Sequence, residues 1–174
     1  MPITNTDIQF FLSGGAGNSD PNASLGGIIS STQVTSAALH NLFDQVSGPE
    51  AAAGDIEYRC IYVKNNHGSL TWEAVAAFIQ SQTTSGDTSL DIGLDPAGNG
   101  DGSSTGVATT IANENTAPGG VSFSAPSTYA GGLSIGNLTT TQVRAVWIRW
   151  TVSAAAAAFN TDTTVLRAQG DTAP

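Results

Sequence analysis

The sequence predicts an all-β fold, a β-sandwich of the jelly-roll or immunoglobulin-like kind with an extended N-terminal arm. Three observations carry the prediction. Apolar residues come in short runs that alternate with polar ones, the period of a strand with one buried face. Clusters of Gly, Asn, Asp, Ser and Pro separate the runs, and these are the residues that tight turns require. The 174 residues contain one cysteine, Cys60, so no internal disulfide is available and the chain must be held by burial of apolar surface. A chain of this length buries roughly two-thirds of its surface on folding, which is sufficient.

Ile8 to Leu12, with Phe10 and Phe11, is the first apolar run, and the flexible loop Ser13 to Ser24 follows it. This pair reads as an N-terminal strand or arm plus linker over residues 1–24, ahead of a sandwich over 25–170 and a tail over 171–174. Adjacent strand residues face opposite ways, so Phe10 and Phe11 can both be buried only if both sides are covered. The cover comes either from the same domain or from another subunit, which makes Ile8, Phe10, Phe11 and Leu12 the candidate partner-binding residues.

Leu25 to Ser31 reads as a short strand opened by Gly26-Gly27. Val34 to Val46 has apolar residues at helical spacing but weak helix formers at its start, so it reads as a short helix or irregular segment stopped by Gly48-Pro49. Asp55 to Lys64 alternates clearly and ends in the turn Asn65-Asn66-His67-Gly68. Leu70 to Gln80 then forms a hairpin with it, placing Leu70, Trp72, Ala74, Ala76 and Phe78 on one side. Thr88 to Leu94 alternates and runs into the loop Asp95 to Gly102. Val107 to Ala112, Val121 to Ser124 and Leu133 to Leu138 are further short strands, and Val143 to Val152 is the strongest in the chain. Ala154 to Ala158 is too short to hold a helix alone and reads as a loop. Thr163 to Ala168 closes the sandwich, with Gln169 to Pro174 frayed beyond it.

Charge narrows the function. One Lys and four Arg stand against 14 acidic residues, a formal charge of −9. Phosphate-led nucleic-acid binding needs a basic stripe, and an anionic membrane surface needs the same, so neither is expected as a partner. No run approaches the length of a spanning helix, and Met1 to Leu12 lacks the basic residue of a secretory signal. Without such a signal, the glycosylation sequons at Asn22 and Asn137 read as accidental.

Candidate chemistry is sparse. Gly132-Leu-Ser134-Ile-Gly136 matches a nucleophile-elbow pattern, but no histidine follows His67 and no βα alternation exists. His40 and His67 have no second His or Cys at ligand spacing. Asp95, Asn99 and Asp101, with Asp91 nearby, crowd oxygen atoms into a Gly-rich loop that a calcium ion would suit. The spacing departs from the EF-hand pattern, and a turn built from Asp, Asn and Gly is the plainer reading. Gly14 to Gly17 form no phosphate-binding motif. Cys60, inside the apolar run Ile56 to Val63, reads as a small buried hydrophobe. No cofactor and no catalytic residue is expected.

Gly54-Asp-Ile-Glu-Tyr-Arg-Cys-Ile-Tyr-Val-Lys-Asn65 resembles a segment that recurs in tailed-phage virion structural proteins. Asp91-Ile-Gly-Leu94, Ile111-Ala-Asn-Glu114, Gly120-Val-Ser-Phe123 and Arg144-Ala-Val-Trp147-Ile-Arg149 reinforce it, so that the resemblance covers about residues 25–170. The resemblance implies a capsid cement (decoration) protein: a small β-sandwich or jelly roll on the outer virion surface, assembled in the host cytoplasm. Its implied partners are the major capsid protein and itself, as dimer or trimer, and it carries no catalytic residues. A tail, neck or baseplate component is the alternative within structural proteins. A carbohydrate-binding module, stacking sugars on Trp72, Trp147 and Trp150, is the alternative from another class, although tryptophans within strands belong to the core.

Overall fold

The computed structural model describes residues 2–172. The alternating runs become eight strands: β1 (Ile8–Ser13), β2 (Ile29–Gln33), β3 (Asp55–Asn65), β4 (Trp72–Ser81), β5 (Thr88–Gly100), β6 (Leu133–Leu138), β7 (Val143–Val152) and β8 (Val165–Thr172). They form a five-stranded sheet, β2-β1-β3-β7-β5, and a three-stranded sheet, β6-β4-β8. All the strand pairings are antiparallel.

The large sheet is covered on both faces. Its inner face, with Leu12, Ile61, Val63, Val146, Ile148 and Trp150, packs on Trp72, Val75, Ala77 and Ile79 of β4. Its outer face carries Phe11, Tyr58, Cys60, Tyr62, Ala145 and Trp147, and the packing there is completed by Leu25, Ala108, Ile111, Val121 and Phe123 from loops. A strand with both faces buried reads as a near-continuous apolar run, which is why β3 and β7 have apolar residues at both parities.

The N-terminal segment is not an arm. β1 lies between β2 and β3, with Phe11 opposite Tyr62 and Leu12 opposite Ile61. Both sides of β1 are covered by the same chain: Ile8, Phe10 and Leu12 join the core between the sheets, and Phe11 joins the outer one. The extended-arm expectation and the division at residue 24 are therefore corrected.

Gly48-Pro49 starts an element instead of stopping one. They open the short helix α1 (Gly48–Ala53) behind a capping box, in which Ser47 Oγ accepts from Glu50 N–H and the Glu50 carboxylate accepts from Ser47 N–H at 2.5 Å. Proline suits the first helical turn because its missing N–H would have no partner there. Val34 to Val46 is irregular.

β3 and β4 do not form a hairpin, because the turn at Asn65–Gly68 carries the chain to the other sheet. Ala74 sits at φ 49°, and the register of β4 breaks around it against both neighbours. This bulge moves the inward set from even to odd positions, so Val75, Ala77 and Ile79 join Trp72 in the core. The expected loop from Asp95 lies within β5, as an irregularity between Leu94 and Asn99. Of the expected strands at 107–112 and 121–124, single bridges remain, Gly27–Ala108 and Ile92–Ser124. Gln169 to Thr172 continue β8 instead of fraying, and Ala173 and Pro174 lie outside the described residues.

Candidate functional site

β1 flanks β3 only from Ile61 onward, so Asp55 to Cys60 would have an open edge. Two loop segments fill it: Tyr58 N–H donates to Glu114 O, and Cys60 N–H donates to Ser24 O. Arg59 lies at this seam and is fully buried. Its Nη2 is 2.6 Å from Glu114 Oε2, 3.1 Å from Glu57 Oε2 and 3.1 Å from Asn22 Oδ1. Its guanidinium also stands 5.4 Å from the Phe43 ring centroid. One cation thus fastens three loops to β3.

This is a carboxylate pair with basic and aromatic company, which the sequence reading missed because Glu114 is 55 residues from Arg59. Glu57 is pushed up to about 7, first by burial; Arg59 pulls it down, and Glu114, Asp44 and Asp55 push it further up. Neither Glu57 nor Glu114 lines the neighbouring shallow depression, which is formed by Gly54, Asp55, Ile56, Asn115, Thr151 and Val152 among others. Glu57 is enclosed by protein and Glu114 reaches the surface, its side chain 39% exposed, and both carboxylates are turned to Arg59, which makes the arrangement a clamp.

Asp95 forms a second buried junction. Its carboxylate accepts from Trp147 Nε1 at 2.8 Å, Thr109 N at 2.9 Å and Ala97 N at 2.8 Å. The lone pairs a cation would need are directed at fixed donors. Asp101 instead accepts from Ser103 in an exposed turn, whose backbone N–H lowers its pKa. Asp95 and Asp101 are thus engaged separately, one inward and one in an exposed turn, and among the described residues no group of three or more His, Cys, Asp or Glu is placed to hold a metal ion.

Tyr62 and Asn65 make similar junctions. The Tyr62 hydroxyl accepts from Ala108 N at 2.9 Å and lies 2.8 Å from Gly106 O, while burial raises its pKa. Asn65 Nδ2 donates to Leu70 O and Leu138 O, and Asn65 Oδ1 accepts from His67 N. His67 Nδ1 in turn accepts from Ser69 and Leu70 N–H, so this histidine shapes a turn. His40 is exposed at φ 54°.

Burial raises the Cys60 pKa strongly, which suits an unreactive thiol. Ser134 lies within β6 rather than at a strand-to-helix turn. Trp72, Trp147 and Trp150 are all buried, so none offers a face for stacking sugars. Of the two sequon asparagines, Asn137 accepts from Ala74 N–H through Oδ1 and braces the β4 bulge, while Asn22 Oδ1 is held by Arg59.

The five cations are largely engaged. Arg59 is enclosed, Arg149 pairs with Asp91 at 2.8 Å, and Lys64 stands over Phe11 at 5.5 Å. Arg144 is partly buried, which lowers its pKa, and only Arg167 is exposed. The surface is consequently acidic. No helix among the described residues is long and apolar enough to cross a membrane. Comparison with protein-family models, with curated proteins and with solved structures finds no match to this chain.

Proposed function

We propose that this chain is a cement protein of a tailed-phage capsid, a non-enzymatic brace that binds the outside of the major capsid protein shell and opposes separation of neighbouring capsomers. The phage setting comes from the sequence resemblance across residues 25–170. The observation that carries the bracing role is the use made of buried polar groups. Arg59, Asp95, Tyr62 and Asn65 each tie a strand to a loop or to another strand, which stiffens the body. A brace needs stiffness and adhesive edges, and repetition over a symmetric lattice multiplies modest contacts. An acidic exterior does not compete for the packaged genome, and nucleic acid and membrane are not partners in this reading.

Quantitative mass spectrometry of purified virions of the encoding phage tests it. Copy numbers that scale with the major capsid protein, and shells that break at lower temperature when the protein is omitted, are expected. A handful of copies per particle would assign the chain to the neck, tail or baseplate. Absence from virions would overturn the reading.

A further inference from the structure

We infer that β8 is the self-association edge of this protein, and that two copies pair β8 against β8, antiparallel, about a twofold axis at Gln169, joining their small sheets into one. Sheet edges invite pairing with another chain unless they are short, kinked or covered. β2 has five residues, and β5 is bridged at Ile92 to Ser124. β6 is kinked by Gly136 at φ 85°, where its register against β4 breaks. β8 has eight residues, none at positive φ, and among the described residues it is paired on one side only. Both register breaks against β4 insert the extra residue in β4, so β8 itself runs straight.

Charge on β8 selects the occupant. Leu166 and Ala168 pack on the core, and a Cβ at Gly170 would meet Glu73 O and Trp72 Nε1, so even positions face inward. Arg167, Gln169 and Asp171 therefore share the outward face. Asp171 lies opposite Glu73 on β4, a like-charge pair that destabilises an isolated sheet. Arg167, the exposed cation, contacts Gln80 at 3.4 Å and makes no carboxylate pair among the described residues. With the axis at Gln169, Arg167 of each copy falls opposite Asp171 of the other, whose own Glu73 lies one strand further on. The same strand supplies both halves of the complementarity, which is the signature of an isologous contact. Backbone hydrogen bonds supply the affinity, and the two charge pairs fix the register.

Sedimentation velocity on the isolated full chain, over a wide concentration range, tests this without reference to any capsid. The wild type is expected to dimerise with rising concentration. Arg167→Asp and Asp171→Arg, each making two like-charge contacts, should weaken the dimer at least about tenfold. Combining them restores opposite charges and should restore the dimer. Circular dichroism checks that each variant folds; if a reversal does not, Arg167→Gln and Asp171→Asn replace it, each weakening the dimer, with no rescue on combination. A monomeric wild type, a dimer indifferent to single reversals, open-ended assemblies, or failure of the charge swap would overturn the inference.

Discussion

Asp95 shows how far a single residue can be read before its surroundings are known. The sequence places a carboxylate in a Gly-rich turn, which suits either a cation or the turn's own backbone. What it does not contain is the direction of the side chain, which points inward to Trp147, 52 residues away. Asp95→Ala would strand the Trp147 indole N–H and the N–H groups of Thr109 and Ala97. The fully buried Trp147 donor costs about 1–3 kcal/mol when left unsatisfied and the two part-buried N–H groups, which water can reach, cost less, so a total loss of about 2–5 kcal/mol is expected in urea unfolding. Asp95→Asn retains an acceptor and should lose less. Glu57 gives a pH prediction. Its folded pKa, about 7, is above its ordinary value of 4.5, so the folded state holds the proton more tightly. The stability this contributes is present below pH 4.5 and is lost as pH rises through 7. Glu57→Gln keeps the neutral form at every pH. Its unfolding midpoint should lack that decline and exceed the wild-type midpoint at about pH 8. Equal slopes for the two proteins between these values would contradict the assignment.

Elements were legible where their residues decide their own conformation. β7 occupies Val143–Val152, as its alternation predicts, because seven β-branched or aromatic residues in ten leave little choice. The termini of β5 and β8 were missed because Gly, Asn and Asp signal a turn locally, whereas pairing with β7 and β4 holds them extended. The bulge at Ala74 was invisible for a related reason. A positive φ at alanine is unfavourable by itself, and it persists because Asn137 Oδ1 and the Tyr129 hydroxyl bond its backbone N–H and C=O. β1 is held in place by the same kind of distant contact. A Gly-rich loop after an apolar run looks like a linker after an arm, yet Leu12 is 2% exposed and β1 separates β2 from β3. Leu12→Ala should cost about 2–5 kcal/mol. Removing residues 1–13 should abolish cooperative unfolding and leave an aggregating chain, because it opens β3 and exposes both cores. A truncated protein with a sharp thermal transition would show that β1 is dispensable.

At the scale of the whole molecule, the alternation of sheets explains what sequence patterning could not supply. From β3 onward, successive strands fall alternately in the large and small sheets, so no strand after β2 pairs with its sequence neighbour. Hydrophobic period identifies a strand and its buried face but is silent on which distant strand lies beside it. The fold class followed from composition and period, whereas the order of strands is set by packing between residues far apart, such as Asp55 beside Val152 and Thr88 beside the same residue. The same arrangement governs how the chain folds. Each crossing between sheets requires loop closure before any long-range contact compensates, and chains dominated by such pairings fold slowly. Refolding from urea, followed by tryptophan fluorescence in a stopped-flow instrument, should therefore proceed in milliseconds to seconds or more slowly. Trp147 and Trp150 report on β7 in the large sheet, and Trp72 reports on β4 in the small one. Since neither sheet closes without the crossings from the other, single-tryptophan variants should share one dominant phase. Full recovery in microseconds, or a β7 signal completed well before that of β4, would mean that the large sheet forms as an independent unit.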